Sequence, residues 1–183
     1  MPAEQPSTGR KRWRRYAVTS ALLAVVAVFT VVVWNNYTLQ HLVEDVIYSD
    51  PRNLGIEVNV YYELFQNSIV YDLKSVSGDK SFADVFRVFL QFAAEMKDRK
   101  LEYVKLAYQG RVKYILPGED FYSVGLMHSY GENPIYIIRT FPEKLLLPNG
   151  RHAFPKWEGG ILAVAARQLE DFNTFMKTWL ELR

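Results

Sequence analysis

Cysteine is absent from the 183 residues, which excludes disulfides, thiolate chemistry and cysteine zinc sites. Histidine is scarce. His41, His128 and His152 are the only three, no two of them lie three or four residues apart, and no His-Glu-x-x-His arrangement exists. No Gly-x-Ser-x-Gly turn occurs, so the nucleophile elbow of a serine hydrolase is missing. A basic surplus is also missing once the N-terminus is set aside. The chain holds 22 basic and 20 acidic residues. Residues 1–15 account for five of the former (Arg10, Lys11, Arg12, Arg14, Arg15) and one of the latter (Glu4), leaving 17 against 19 and a net charge of −2 for the rest. That remainder is unsuited to neutralising phosphates, so no nucleic-acid partner is expected. The pI near 8.7 belongs to the N-terminal tail, which can lie against anionic lipid.

Charge is absent altogether from Tyr16 to Trp34, YAVTSALLAVVAVFTVVVW. A helix needs roughly 20 apolar residues to cross a bilayer core of about 30 Å, and this run reads as a membrane span. Only Thr19, Ser20 and Thr30 are polar between its aromatic ends, and a helix can bond such hydroxyls back to its own carbonyls. Trp13 and Tyr16 at one end, and Trp34 and Tyr37 at the other, suit the two headgroup zones. The basic cluster precedes the span and the first Lys or Arg after it is Arg52, so the positive-inside rule places the N-terminus in the cytoplasm and residues 35–183 outside it. A cleaved signal peptide would have a shorter apolar stretch and small residues at its cleavage site. Val33-Trp34-Asn35-Asn36 lacks them, and a retained signal-anchor is the expectation. Arg14-Arg15 serves this orientation better than twin-arginine export. Asn36-Tyr37-Thr38 matches a glycosylation sequon, but it abuts the bilayer.

Four regions follow: a disordered basic cytoplasmic tail (1–15), the span (16–34), an amphipathic stalk helix (35–51) and an extracytoplasmic domain (52–183). In the stalk, Leu39, Leu42, Val43, Val46 and Ile47 recur at helical spacing. That stripe could pack on the domain, lie on the membrane or pair with a second copy as a homodimer. The stalk ends near Asp50-Pro51, because the residue before proline avoids helical angles.

In Ile56–Leu64, apolar and polar residues alternate, a strand signature. A two-residue turn at Gln66-Asn67 would set Leu64 opposite Ile69, Tyr62 opposite Tyr71 and Val60 opposite Leu73. Ser81 with Asp84 resembles a capping box. It starts a helix to about Asp98 whose stripe is Phe82, Val85, Phe89, Phe92, Ala93 and Met96, with Phe86 beside it. A second hairpin, Leu101–Tyr108 and Arg111–Leu116, turns at Gln109-Gly110. Apolar residues on both its faces predict cover on part of the second. Glu119–Tyr130 reads as a short helix with Phe121, Val124 and Met127 inward. Asn133-Pro134 favours a helix start over the β-rich composition of Ile135–Ile138. A long loop through Pro142, Pro148, Asn149-Gly150 and Pro155 precedes a last helix from about Gly159 or Gly160, lined by Ile161, Leu162, Ala165, Leu169, Phe172, Met176 and Trp179. The expected fold is α+β: one N-terminal transmembrane helix, then a two-layer domain of antiparallel hairpins packed on helices, in the order ββαββα-loop-α. Aromatics make up 15% of the chain, and most fall at core-facing spacing.

Chemistry-bearing residues form no catalytic set, and no metal or cofactor is expected. His41 with Glu44 and Asp45 reads as a solvated stalk face rather than a ligand set. Glu119 and Asp120 suit a helix dipole rather than a facing carboxylate pair. Gly159-Gly160 reads as close packing under Trp157. The densest group of binding-type side chains is His128, Tyr130, Asn133, Tyr136, Arg139, Arg151, His152, Lys156 and Trp157, with Lys144 among them. Irregular segments often carry binding, and Trp, Tyr and Arg anchor interfaces. The stretches Asn133-Pro134-Ile135-Tyr136, Arg139-Thr140-Phe141-Pro142-Glu143-Lys144-Leu145 and Trp157-Glu158-Gly159-Gly160 resemble uncharacterised bacterial single-pass membrane proteins. That resemblance covers the exported domain and implies no activity.

The sequence therefore points to a membrane-anchored binding or accessory protein of the cell envelope, inserted in the inner membrane and contacting other envelope proteins. Two alternatives stand. One is a small-molecule sensor or carrier with a pocket lined by Tyr62, Tyr71, Tyr103 or Tyr114. The other is an envelope enzyme with no recognisable motif.

Overall fold

A single helix, α1, runs from Thr8 to Ser49 in the computed structural model, which describes residues 8–63 and 67–182. Its start takes in residues 8–15, expected to belong to a disordered tail; Arg and Lys are good helix formers and here extend an apolar helix already nucleated. Residues 1–7 of that tail lie outside the described residues. The chain divides into two units, Met1–Tyr37 and Thr38–Arg183.

In the first unit, Leu22, Leu23, Val25, Val26, Val28, Phe29, Val31 and Val33 are all exposed. Only 6% of the helix's apolar window is buried, whereas the core helix of a soluble protein is mostly buried. By length and composition this helix can cross a membrane. Thr30 Oγ1 donates to the Val26 carbonyl at 2.8 Å, the internal satisfaction that lipid requires.

The second unit opens with the last three turns of α1. Leu39, Val43, Val46 and Ile47 are buried in the domain core, so the stalk stripe packs on the domain. Asp50 ends the helix and caps a short 3-10 turn at Pro51–Asn53. Buried Asn53 ties that turn to the rest. Its Nδ2 donates to the Val46 carbonyl at 2.9 Å and to Gln91 Oε1 at 2.6 Å, and its Oδ1 accepts from Arg87 Nε at 3.1 Å.

Strands β1 (Ile56–Tyr62), β2 (Ser68–Val76), β3 (Tyr103–Tyr108) and β4 (Arg111–Pro117) form one sheet in that spatial order. The two hairpins are antiparallel, but β2 and β3 pair parallel, so the sheet is mixed rather than wholly antiparallel. The cause is α2 (Phe82–Glu95), a crossover that returns the chain to the same end of the sheet. The first hairpin pairs Tyr62 with Ile69, Val60 with Tyr71 and Val58 with Leu73, two residues away from the expected register. Gln-Asn lacks the glycine that two-residue turns favour, and Glu63 N–H instead donates to the Ser68 carbonyl at 2.9 Å, closing a longer loop. A shift of two preserves every side chain's face. Residues 64–66, on which part of that expectation fell, lie outside the described residues.

The edge of β1 is not left open. Gln40 Nε2 donates to the Val58 carbonyl at 3.2 Å, and Val60 N–H donates to Gln40 Oε1 at 2.9 Å. The amide side chain of α1 thus takes the place of a further strand and blunts edge-to-edge pairing. At the other edge, Leu146 exchanges two 2.8 Å backbone bonds with Ile115 of β4. Cover on the outer face is partial, with Ala107 buried while Val112 and Ile115 are half-buried and Tyr103 is exposed.

Helices α2, α3 (Gly118–Ser129) and α5 (Ile161–Trp179) bury an aromatic core against the sheet. Tyr71 of β2 meets Phe89 and Phe92 of α2 at 5.3 Å each and Trp179 of α5 at 6.0 Å. The Ser81–Asp84 capping box is formed in both directions. Gln109 and Gly110 both take positive φ, as the expected tight turn requires. The stripe of α5 departs from expectation. Leu162 is 87% and Leu169 41% exposed, while Gln168, Phe172, Phe175, Met176 and Trp179 face inward. Leu162 lies in the first turn, and Leu169 lies on the solvent side next to buried Gln168.

Candidate functional site

The nine residues singled out from sequence lie on a segment more ordered than a long loop. His128 is half-buried in the last turn of α3, and burial holds its pKa below the ordinary histidine value. Tyr130 follows the helix and is 81% exposed. Asn133 Oδ1 accepts from Ile135 N–H at 2.9 Å and caps α4 (Pro134–Thr140), which is helical as Asn133-Pro134 suggested. Tyr136 is half-exposed on α4. Arg139 turns inward, donating from Nε at 3.1 Å and Nη2 at 3.0 Å to Oε1 of buried Gln168, which joins α4 to α5.

Beyond α4, a 3-10 turn at Pro142–Lys144 and a tight turn through Asn149-Gly150 bring Leu146 opposite His152. Arg151, His152 and Lys156 face solvent. Trp157 Nε1 donates to Asp171 Oδ2 at 2.6 Å, and the Arg167 guanidinium lies 4.6 Å from its ring centroid. A Cβ at Gly159 or Gly160 would meet nothing within 4 Å, so close packing under Trp157 is not their role. Gly159 instead adopts φ +129°, a conformation that favours glycine, and Gly160 occupies the N-cap position of α5. Asn133, Arg139 and Trp157 are therefore committed to holding the segment. Tyr130, Tyr136, Arg151, His152 and Lys156 remain available for contact.

None of these nine lines the two clefts described next. One, of about 490 Å³, runs beside Thr38, His41, Asp45 and Glu95. His41 Nδ1 lies 3.5 Å from Glu44 Oε2. Among the described residues, no three His, Cys, Asp or Glu side chains group as a metal site. The other, of about 750 Å³, is lined by the run Lys97–Leu101 after α2 and by Gly118, Glu119 and Tyr122 of α3. An adjoining hollow shares Leu101, Gly118 and Glu119. A Cβ at Gly118 would overlap the Leu101 carbonyl, so only glycine allows these two backbones so close.

This second cleft went unseen in the sequence, because its walls come from segments about 20 positions apart. The only local signal was the charge run Lys97-Asp98-Arg99-Lys100. The acids at the start of α3 have separate fates: Asp120 accepts from Lys144 Nζ at 2.6 Å, while Glu119 lines the cleft. Of the tyrosines proposed to line a ligand pocket, Tyr71 and Tyr114 are buried in the packed core, whereas Tyr103 lines the adjoining hollow. Among the described residues, the cleft's charged and phenolic groups suit binding, and they do not form a nucleophile–base–acid relay.

With this geometry in hand, comparison with protein-family models, curated proteins and solved structures finds no match for the chain.

Proposed function

We propose that this protein is a single-pass, N-terminus-in protein of the inner membrane that displays its α+β domain in the periplasm or outside the cell. There it acts as a binding or accessory partner for other envelope proteins. The carrying observation is the apolar surface of α1, on which Leu22, Leu23, Val26, Phe29, Val33 and Trp34 are exposed, preceded by the five-residue basic cluster. An exposed apolar face this long marks a membrane or partner contact. Lipid satisfies it without any further protein, and the charge asymmetry supports the orientation.

Leu39, the first buried core residue of the domain, follows Trp34 by five positions. A chain of that length reaches at most about 18 Å. Tethering this short confines the domain to a thin layer at the bilayer and raises its effective concentration toward membrane partners. Tyr130, Tyr136, Arg151, His152 and Lys156 offer the aromatic and cationic side chains that interfaces favour.

A photo-crosslinker placed at Tyr136 in native membranes tests the reading. A discrete protein adduct is expected, and it should weaken when residues 1–34 are exchanged for a cleavable export signal. Adducts equally abundant without the anchor would refute tethering. Recovery of only lipid and the protein itself would refute protein–protein binding.

A further inference from the structure

The cleft between the end of α2 and the start of α3 holds charges of both signs that do not meet. Some opposite charges elsewhere in the domain close into ion pairs, as Asp84 does with Arg87 and Asp120 with Lys144. Among the described residues, no ion pair includes Lys97, Asp98, Arg99, Lys100 or Glu119, although all five line one cavity.

Backbone contacts hold the gap open. Gly118 N–H donates to the Glu102 carbonyl at 2.8 Å, and Glu102 N–H donates to the Asn67 carbonyl at 2.7 Å. Asn67 Nδ2 donates to the Lys100 carbonyl at 2.6 Å, and Arg99 Nη1 donates to the Tyr62 hydroxyl at 2.9 Å. A ligand that offers an anion to the Lys–Arg wall and a cation to Glu119 satisfies both sides. Lys97, Arg99 and Lys100 outnumber Asp98 in that wall, and three cationic side chains suit the several oxygens of a phosphate. The volume falls within the usual range for small-ligand sites.

We propose that this cleft binds a phosphate group that carries an ammonium, the chemistry of phosphoethanolamine. Its place in the fold indicates a source. Gln40 meets Val58 and Val60, while Val46 meets Asn53, so from Ser49 back to Thr38 the helix runs toward the Tyr62 end of β1. The cleft lies at that same end, where Arg99 meets Tyr62 and where Tyr103 pairs with Ser68 and Pro117. The chain enters the domain there, so an ethanolamine headgroup of the membrane is the ligand at hand. This choice of source rests on the membrane reading above; the ligand chemistry does not.

Full-length protein in nanodiscs of phosphatidylcholine, or of phosphatidylcholine mixed equally with phosphatidylethanolamine, tests it by hydrogen exchange. Choline's quaternary ammonium cannot donate a hydrogen bond to Glu119, so it serves as the reference. Amides of residues 97–103 and 118–122 should exchange at least about 3-fold more slowly with the ethanolamine lipid, as expected for a site mostly occupied. The double substitution Lys97→Gln, Lys100→Gln should abolish the slowing and leave exchange in β1 and β2 unchanged. Slowing that appears only when soluble phosphoethanolamine is added to phosphatidylcholine discs keeps the site and moves its source to solution. Protein that fails to enter discs contradicts the membrane reading, and the soluble ligand with detergent-held protein still reports on the cleft. Equal exchange under every condition, or slowing that survives the double substitution, overturns the proposal.

Discussion

Gly125 lies in mid-helix in α3, where helix propensity alone makes alanine the better residue by about 1 kcal/mol. Packing argues the opposite. A Cβ there would stand 2.8 Å from the carbonyl carbon of Ala93 in α2 and closer still to its oxygen. Carbon contacts are comfortable at about 3.5–4.0 Å, so the helices would have to part by roughly 1 Å. Both groups at the clash belong to backbone, and no rotamer change relieves it. The penalty therefore falls at the upper end of the range of about 1–3 kcal/mol for overpacking. Set against the propensity gain, Gly125→Ala should lose about 2 kcal/mol. For a protein of this size that lowers the melting temperature by about 4–8 °C. Circular dichroism melting of the full-length protein in detergent measures it. Gly78→Ala, where a Cβ meets nothing within 4 Å, is the control and should melt with the parent. A Gly125→Ala protein melting at or above the parent would refute the close α2–α3 contact.

Asn53→Ala should cost about 2–4 kcal/mol, because it strands the Val46 carbonyl, Gln91 and Arg87 around a buried site; a urea midpoint within error of the parent would contradict that network. Acid should weaken the domain through its depressed carboxylates. Hydrogen bonds from Ser81, then Arg87, hold Asp84 at about 2, Arg52 holds Asp50 lower still, and Lys113 with Arg111 lowers Glu181. Because the folded values lie below the unfolded ones, this stability is complete above about pH 5 and drains as pH falls toward about 2. Urea midpoints should drop across that window, less steeply in Asp84→Asn, and a flat profile would contradict it.

Local chemistry was legible in the sequence. Ser81-x-x-Asp84, Gln109-Gly110 and Asn133-Pro134 each fix backbone within a few residues, and each forms as read. The α2 stripe was also legible, because a 14-residue helix with one apolar face has one way to bury it. Pairings across long separations were not. The parallel β2–β3 contact depends on where α2 returns the chain, which no periodicity encodes. In α5 the apolar period named Leu162 and Leu169 but could not say which side of the helix the surface covers, and it passed over Phe175, which is fully buried. Of the nine candidate residues, Asn133, Arg139 and Trp157 prove to be braces. Composition cannot separate an arginine that braces Gln168 from one that waits for a partner.

The absence of cysteine makes the topology directly measurable. Single cysteines introduced by Ser7→Cys or Thr174→Cys can be labelled with a membrane-impermeant maleimide on cells whose outer layers are opened and whose inner membrane is intact. Labelling of Thr174→Cys at once, and of Ser7→Cys only after the inner membrane is breached, is the predicted result. Immediate labelling of Ser7→Cys with Thr174→Cys protected would contradict the account at its base.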